Sequence, residues 1–323
     1  MKGTASTHPD AASFIEGDAS ISFDGEKMQR TPCIALIMLG SFLVQVGCGQ
    51  AAREQAVLPP LHFTAIPDQS STELAQKFQP LAAHLSKELG VVVEYIPASD
   101  YQASVEMFKN GDAPLAWFGG LTGVQARAAV PGSVAIAQGD SDPAYVSYFV
   151  AHSSTGLEPS DSFPMAISAL KFTFGSESST SGRLMPEYFL RQATGKAPAE
   201  FFSQPPGFSG SHDKTLELIA TGQYQAGVVN YKVYERRVKE GKTDPNVCRV
   251  IWKSPTYTDY NWTAHPQLET VYGAGFTNRL QQTLVGITDP SLLAALPRER
   301  LIPAKNEDYE QIAQVARELG MVR

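Results

Sequence analysis

The chain is poor in the residue patterns that most directly announce chemistry. Among its 323 residues are three cysteines, Cys33, Cys48 and Cys248, with no Cys-x-x-Cys pair, so neither a disulfide framework nor a thiolate metal site can be built. It has no long Lys/Arg run. With 26 basic against 33 acidic residues the formal charge is −7, which excludes the basic footprint of a nucleic-acid binder. No serine, histidine and acid fall in a nucleophile-elbow arrangement, and no two carboxylates stand in an evident acid/base pair. Catalysis therefore has no support in the residues, and no cofactor or metal is implied. Any anionic ligand would have to be held by local dipoles and not by the overall field.

Long apolar runs are also missing, with one short exception. After Met28-Gln29-Arg30-Thr31-Pro32, the stretch from Cys33 through Val46 has the length of a signal-peptide core and is too short for a comfortable membrane span. It ends in Val46-Gly47-Cys48, a small residue before a cysteine as in a lipoprotein processing site, although Gln45 stands where such sites usually carry leucine. Lipidation of Cys48 is the expectation, with ordinary secretion as the alternative. Residues 1–27 put five acids and two lysines ahead of this segment, a poor start for export. They read as a leader that is non-native or mis-assigned, with translation beginning at Met28. Residues 28–48 are then the lipoprotein signal, and residues 49–60, small, polar and ending in two prolines, are a tether.

From Leu61 onward, 43% overall hydrophobicity is enough for a sizeable core, and β-type runs alternate with helical patterns. Leu61–Ile66, Val91–Tyr95, Leu115–Phe118, Val134–Ala137 and Tyr148–Ala151 read as strands. Leu74, Phe78, Leu81, Leu85 and Leu89 form a helical stripe that Pro80 is expected to bend or delay. A second set follows: strand Phe172–Phe174, helices from Gly182 and Lys214, strand Ala226–Val229, helix Tyr231–Val238 and strand Arg249–Trp252. Helices around Thr277–Val285 and Glu307–Leu319 close the chain. This pattern predicts two α/β lobes with two hinge crossovers, near Ser147–Ala151 and Trp252–Pro255, and a ligand cleft between them. Residues 61–148 and 254–323 are assigned to lobe 1, and 149–253 to lobe 2.

The most informative stretch is Phe174-Gly175-Ser176-Glu177-Ser178-Ser179-Thr180-Ser181-Gly182-Arg183. A strand runs into hydroxyl groups and then a helix begins, so Ser179, Thr180 and Ser181 could meet an anion at the positive end of the helix. Ser179 or Ser181 could equally be a plain helix cap. In the first half, Trp117-Phe118-Gly119-Gly120-Leu121-Thr122-Gly123 repeats the strand–glycine–helix plan, which lets backbone amides near Gly120, Leu121 and Thr122 approach a ligand. His212 lies in a Gly/Ser loop before a helix and could donate to an oxyanion. Tyr101, Tyr145, Tyr231 and Asp259 occupy loop or helix-start positions, where packing or capping is the plainer role.

Taken in order, Ser99-Asp100-Tyr101, Trp117-Phe118-Gly119, Asp142-Pro143-Ala144-Tyr145, Ser179-Thr180-Ser181-Gly182, Gly210-Ser211-His212 and Val250-Ile251-Trp252-Lys253-Ser254-Pro255 resemble the phosphate, phosphite and phosphonate binding proteins of ABC importers. Thr64–Gln69 and Gly182–Phe189 are similar to a branch of that family described as selenate-binding. The resemblance implies a two-lobe periplasmic-binding-protein fold of type II. It further implies capture of a small tetrahedral oxyanion, permease and ATPase partners, a monomer on the outer face of the cytoplasmic membrane or in the periplasm, and no enzymatic activity. Carried over by position, Ser179, Thr180, Ser181 and His212 would hold oxygens from the second lobe, and Tyr101 with the Gly120–Thr122 amides from the first. Tyr145 and Asp259 would complete the pocket.

At the end of strand Ala226–Val229, phosphite binders of the family tend to carry aspartate, whereas this chain has Asn230 followed by Tyr231. A carboxylate there would accept a proton from a protonated oxyanion and repel a fully ionised one. Asparagine tolerates either, which keeps selenate or sulfate beside the phosphorus oxyanions. An enzyme or a sensor subunit on the same scaffold is the other alternative.

Overall fold

Strands form where short apolar runs meet turn residues in the computed structural model, which describes residues 58–322. The leader, the signal with Cys48 and nearly all of the tether lie outside the described residues. In chain order the strands are β1 (Leu61–Ala65), β2 (Val93–Tyr95), β3 (Leu115–Phe118), β4 (Val134–Gly139), β5 (Ser147–His152) and β6 (Phe172–Phe174). They continue with β7 (Gly207–Phe208), β8 (Ala226–Asn230), β9 (Cys248–Lys253), β10 (Asn261–Ala264) and β11 (Leu301–Pro303). The helices are α1 (Ser71–Leu89), α2 (Tyr101–Lys109), α3 (Gly120–Ala129), α4 (Met185–Thr194), α5 (Pro198–Phe201), α6 (His212–Ala220), α7 (Tyr231–Lys239), α8 (Gln267–Tyr272), α9 (Phe276–Val285) and α10 (Glu310–Glu318).

Two sheets result, with strand orders β11-β4-β10-β3-β1-β2 and β7-β6-β8-β5-β9. In the first, β1 runs parallel to β2 and β3; in the second, β6 runs parallel to β7 and β8. The strand that enters each sheet from a crossover, β10 or β5, is antiparallel to both neighbours. A chain arriving from the other lobe enters at the end where the parallel strands finish, so it must run against them.

In α1 the stripe Leu74, Phe78, Leu81, Leu85 and Leu89 is buried, and each such side chain contributes about 1.5–3 kcal/mol. Pro80 does not delay the helix as expected: α1 runs unbroken past it to a left-handed Gly90 cap with φ 70°. Pro80 and Gln76, whose carbonyl loses its helical donor, are both exposed, so water supplies the missing bond.

The crossovers also differ from the expectation. Ser147–His152 is already β5 within the second sheet, and Trp252 and Lys253 still belong to β9. The chain passes between sheets at 140–146 and again at 254–260. There the two segments run side by side: Tyr145 and Tyr257 exchange backbone hydrogen bonds of 2.8 and 3.0 Å, and the Asp259 amide donates to the Asp142 carbonyl at 3.0 Å. Arg298, buried, braces this pair through Asp142, with Nε 2.9 Å from Oδ1 and 3.0 Å from Oδ2.

Candidate ligand-binding site

The carboxyl ends of β1, β3, β6 and β8 face one another across the two lobes, and in open α/β sheets ligands sit at such ends. At or just beyond these ends lie Asp68, Gly119–Thr122, Gly175–Ser181 and Asn230, the last residue of β8.

The second-lobe turn is both a cap and a site. Ser179, at φ −81° and ψ 135°, accepts the Gly182 amide at 2.9 Å, and a π-helical turn over Thr180–Leu184 leads into α4. A side chain at Gly182 would lie 2.8 Å from Ser179 Oγ, 3.1 Å from His212 Cε1 and 3.2 Å from the Gly175 backbone, so only glycine lets these groups close on one another. Ser181 is buried, and its carbonyl accepts Ser147 Oγ at 2.7 Å, which shares a 2.6 Å bond with Tyr257 on the crossover. The Thr180 hydroxyl instead crosses the cleft and accepts the Leu121 amide at 3.0 Å.

His212 is not in the loop as expected but is the first residue of α6, after the Ser211 cap. A first-turn amide has no partner within its own helix, and that of His212 donates to the Asp68 carbonyl at 3.3 Å. The Asn230 amide donates to His212 Nδ1 at 3.3 Å, which assigns the ring proton to Nε2. Burial pushes the imidazole down to about 3, so the ring is neutral near pH 7. Its Nε2–H is buried without a partner.

On the first-lobe face the amides are engaged by protein groups. Gly120 N donates to Asp259 Oδ1 at 2.9 Å, Leu121 N to Thr180, and the Thr122 hydroxyl to the Gly119 carbonyl at 3.2 Å. Gly119 permits this: a Cβ there would come 3.0 Å from Thr180 Oγ1 and 3.3 Å from Asp259 Oδ1. Asp259 Oδ2 is buried without a partner. Burial raises the Asp259 carboxyl to about 7, opposed by the Gly120 amide and the Thr180 hydroxyl. The Tyr101 hydroxyl, at the start of α2, is likewise buried and unpartnered. Burial, with the charges of Asp68 and Asp259 nearby, holds that phenol far above its ordinary range, so it is a neutral donor.

The remaining expected residues lie on the first crossover and at the junction of β8 and α7. Tyr145 lies on the crossover with an unpartnered, buried hydroxyl, and its ring packs 4.8 Å from that of the half-buried Tyr231. Asn230 does not present a free amide: Oδ1 caps α7 through the Val233 amide at 2.7 Å, and Nδ2 donates to Tyr260 at 2.8 Å. Tyr260 in turn donates to Asp68 Oδ2 at 2.8 Å. Asp68 and Tyr260 were not among the sequence candidates. The position of Asp68 three residues beyond the end of β1 is the signal that could have found it; Tyr260, in an irregular segment, carries none. Burial raises the Asp68 carboxyl to about 6.

Around one turn, then, the structure gathers the hydroxyls of Thr180 and Tyr101, an imidazole N–H and a carboxyl oxygen able to share a proton, with no cation among them. Two α/β lobes, two crossovers and a polar cleft at the strand ends define a periplasmic binding protein. A family described as ABC transporter, phosphonate, periplasmic substrate-binding protein matches residues 63–309, and the chain belongs to it. It is 40% identical over 270 residues to the probable ABC transporter phosphite binding protein PhnD1 of Prochlorococcus marinus (strain MIT 9301), covering 81% of this chain and 91% of that protein. It is 30% identical over 205 residues to the phosphate-import protein PhnD of Mycolicibacterium smegmatis, covering 59% of this chain and 62% of that protein. The solved structure of PhnD1 in complex with methylphosphonate superposes with a TM-score of 0.76 at 39% identity, covering 81% of this chain and 99% of that one. The chain is thus the periplasmic substrate-binding component of an ABC transporter, with a small-molecule ligand and permease and ATPase subunits as partners.

Proposed function

We propose that this chain captures a phosphorus oxyanion that still carries an acidic proton, of the phosphite, methylphosphonate or phosphate type, and delivers it from the closed cleft to its permease. The observation that carries this reading is the unpartnered Asp259 Oδ2 among neutral donors. A carboxyl raised to about 7 can share one proton with a phosphorus oxyanion, whose second ionisation is near pH 6 for a phosphate group. Sulfate and selenate bring no proton, and against an ionised Asp259 they would set two like charges in a closed cleft. Asn230, from which selenate and sulfate drew their support, has both side-chain polar atoms bonded within the protein. Discrimination passes to Asp259.

His212 Nε2, Tyr101, Ser179, Thr180 and Ser181 are assigned as the ligand's donors, with Tyr145 and Tyr231 as pocket walls. Lipidation of Cys48 would hold the protein, as a monomer, at the outer face of the membrane. Calorimetric titration with phosphite, methylphosphonate, phosphate, sulfate and selenate, combined with small-angle scattering, tests the assignment. The phosphorus oxyanions should bind one competitive site and compact the protein. Equal affinity for sulfate, or no compaction at saturation, contradicts it.

A further inference from the structure

Outside the proposed anion site, the start of α1 in lobe 1 is fastened to α6 and α7 of lobe 2 by groups that touch none of the proposed ligand contacts. Arg236 reaches across from α7: one guanidinium nitrogen hydrogen-bonds Gln69 Oε1 and lies 3.7 Å from Glu73, while the other lies 3.2 Å from Asp213 Oδ1. The opposite oxygen of Asp213 accepts the Ser70 amide at 3.3 Å. Lys242 donates to Glu73 at 2.8 Å, and Arg237 lies 3.2 Å from Asp213. Gln69 is tied back to its own lobe through the Ala295 carbonyl at 3.2 Å. The side chains of Arg236 and Asp213 are each 12% exposed, so these contacts are shielded from solvent more than an ordinary surface pair.

The same turn carries Asp68, whose carbonyl takes the His212 amide and whose carboxyl holds Tyr260, the acceptor of Asn230. Resting on the binding-cleft reading above, we propose that Arg236 is a positioning residue for capture. It clamps the Asp68–Glu73 turn onto lobe 2, so that it sets the population of the closed form while making no contact with the ligand. A ligand that binds only the closed form has its apparent dissociation constant divided by the closed fraction. Loosening the clamp must therefore weaken every ligand by one common factor. A residue that touches the anion would instead change the ranking of ligands.

The test is calorimetric titration of methylphosphonate, phosphite and phosphate into wild type, Arg236→Met, which keeps the apolar stem, and Glu73→Gln, which guards against a folding defect in the first variant. Arg236→Met should weaken all three anions by about tenfold and Glu73→Gln by about threefold, each leaving their order and ratios unchanged. Affinities within twofold of wild type in both variants would overturn the proposal. Unequal losses that reorder the anions would overturn it too, by placing Arg236 on the ligand. If wild type binds none of the three, the ligand assignment fails separately, and scattering by ligand-free protein decides: a larger mean radius in Arg236→Met upholds the clamp, and an unchanged one overturns it.

Discussion

The two faces of the cleft share a plan and use it differently. Each has a strand, a glycine-containing turn and a helix start, yet lobe 2 presents the hydroxyls of its turn and the His212 imidazole of α6 at the cleft, whereas the amides of Gly120 and Leu121 in lobe 1 are closed by Asp259 and Thr180. In lobe 1 the positive helix end steadies an acid of the protein's own. One face is therefore rich in donors, and the other contributes an acceptor beside the Tyr101 hydroxyl. This is the arrangement a protonated oxyanion needs, and a helix start in an anion-binding protein need not face the anion.

The comparison can be broken first at Thr180, whose hydroxyl crosses the cleft to the Leu121 amide. Thr180→Val keeps the β-branched shape but leaves the Leu121 amide and the anion each short of a partner. A hydrogen bond to a charged group contributes about 1.5–3 kcal/mol, so calorimetry should show affinity falling about ten- to a hundredfold. Ligand-free melting should fall as well, because the buried Leu121 amide loses its acceptor, a cost of about 1–3 kcal/mol. Ser179 should lose mainly stability, because its oxygen caps the turn through Gly182. Ser179→Ala is expected to cost about 1 kcal/mol of stability, read as a melting point lower by about 2–4 °C, with a smaller loss of affinity than Thr180→Val. If Ser179→Ala loses more affinity than Thr180→Val, the division into cap and ligand donor is wrong.

What was legible in the sequence was local. The stripe of α1, the strands β1, β3, β6 and β8, and the hydroxyl turn before α4 are each written in a few adjacent residues, and the turn fell where its pattern placed it. β10 was not legible: Asn-Trp-Thr-Ala has no period-two pattern because all four residues are buried, with Asn261 Oδ1 and Thr263 Oγ1 each accepting from Arg127 of α3 at 3.1 Å. The Asp68–Tyr260–Asn230 chain and the Arg236 clamp join residues more than 160 positions apart, beyond any local pattern. The partners of Asn230 were not legible for the same reason. Its type and place at a strand end suggested the pocket, while its side chain is bonded to the Val233 amide and to Tyr260 on the second crossover.

The central claim is that Asp259 and the oxyanion hold one proton between them. Burial lifts the carboxyl from its ordinary 3.8 to about 7, so its protonated form favours the closed structure at low pH, and that contribution is lost as pH rises through about 7. The decisive measurement is the affinity of wild type and Asp259→Asn for methylphosphonate and selenate by calorimetry from pH 6 to 9. For wild type, methylphosphonate affinity should fall by about tenfold per pH unit once both acids have ionised, with selenate weak at neutral pH. For Asp259→Asn that decline should vanish and selenate should gain at least tenfold. A wild-type affinity flat across this range, or an Asp259→Asn variant as selective as wild type, would contradict the account.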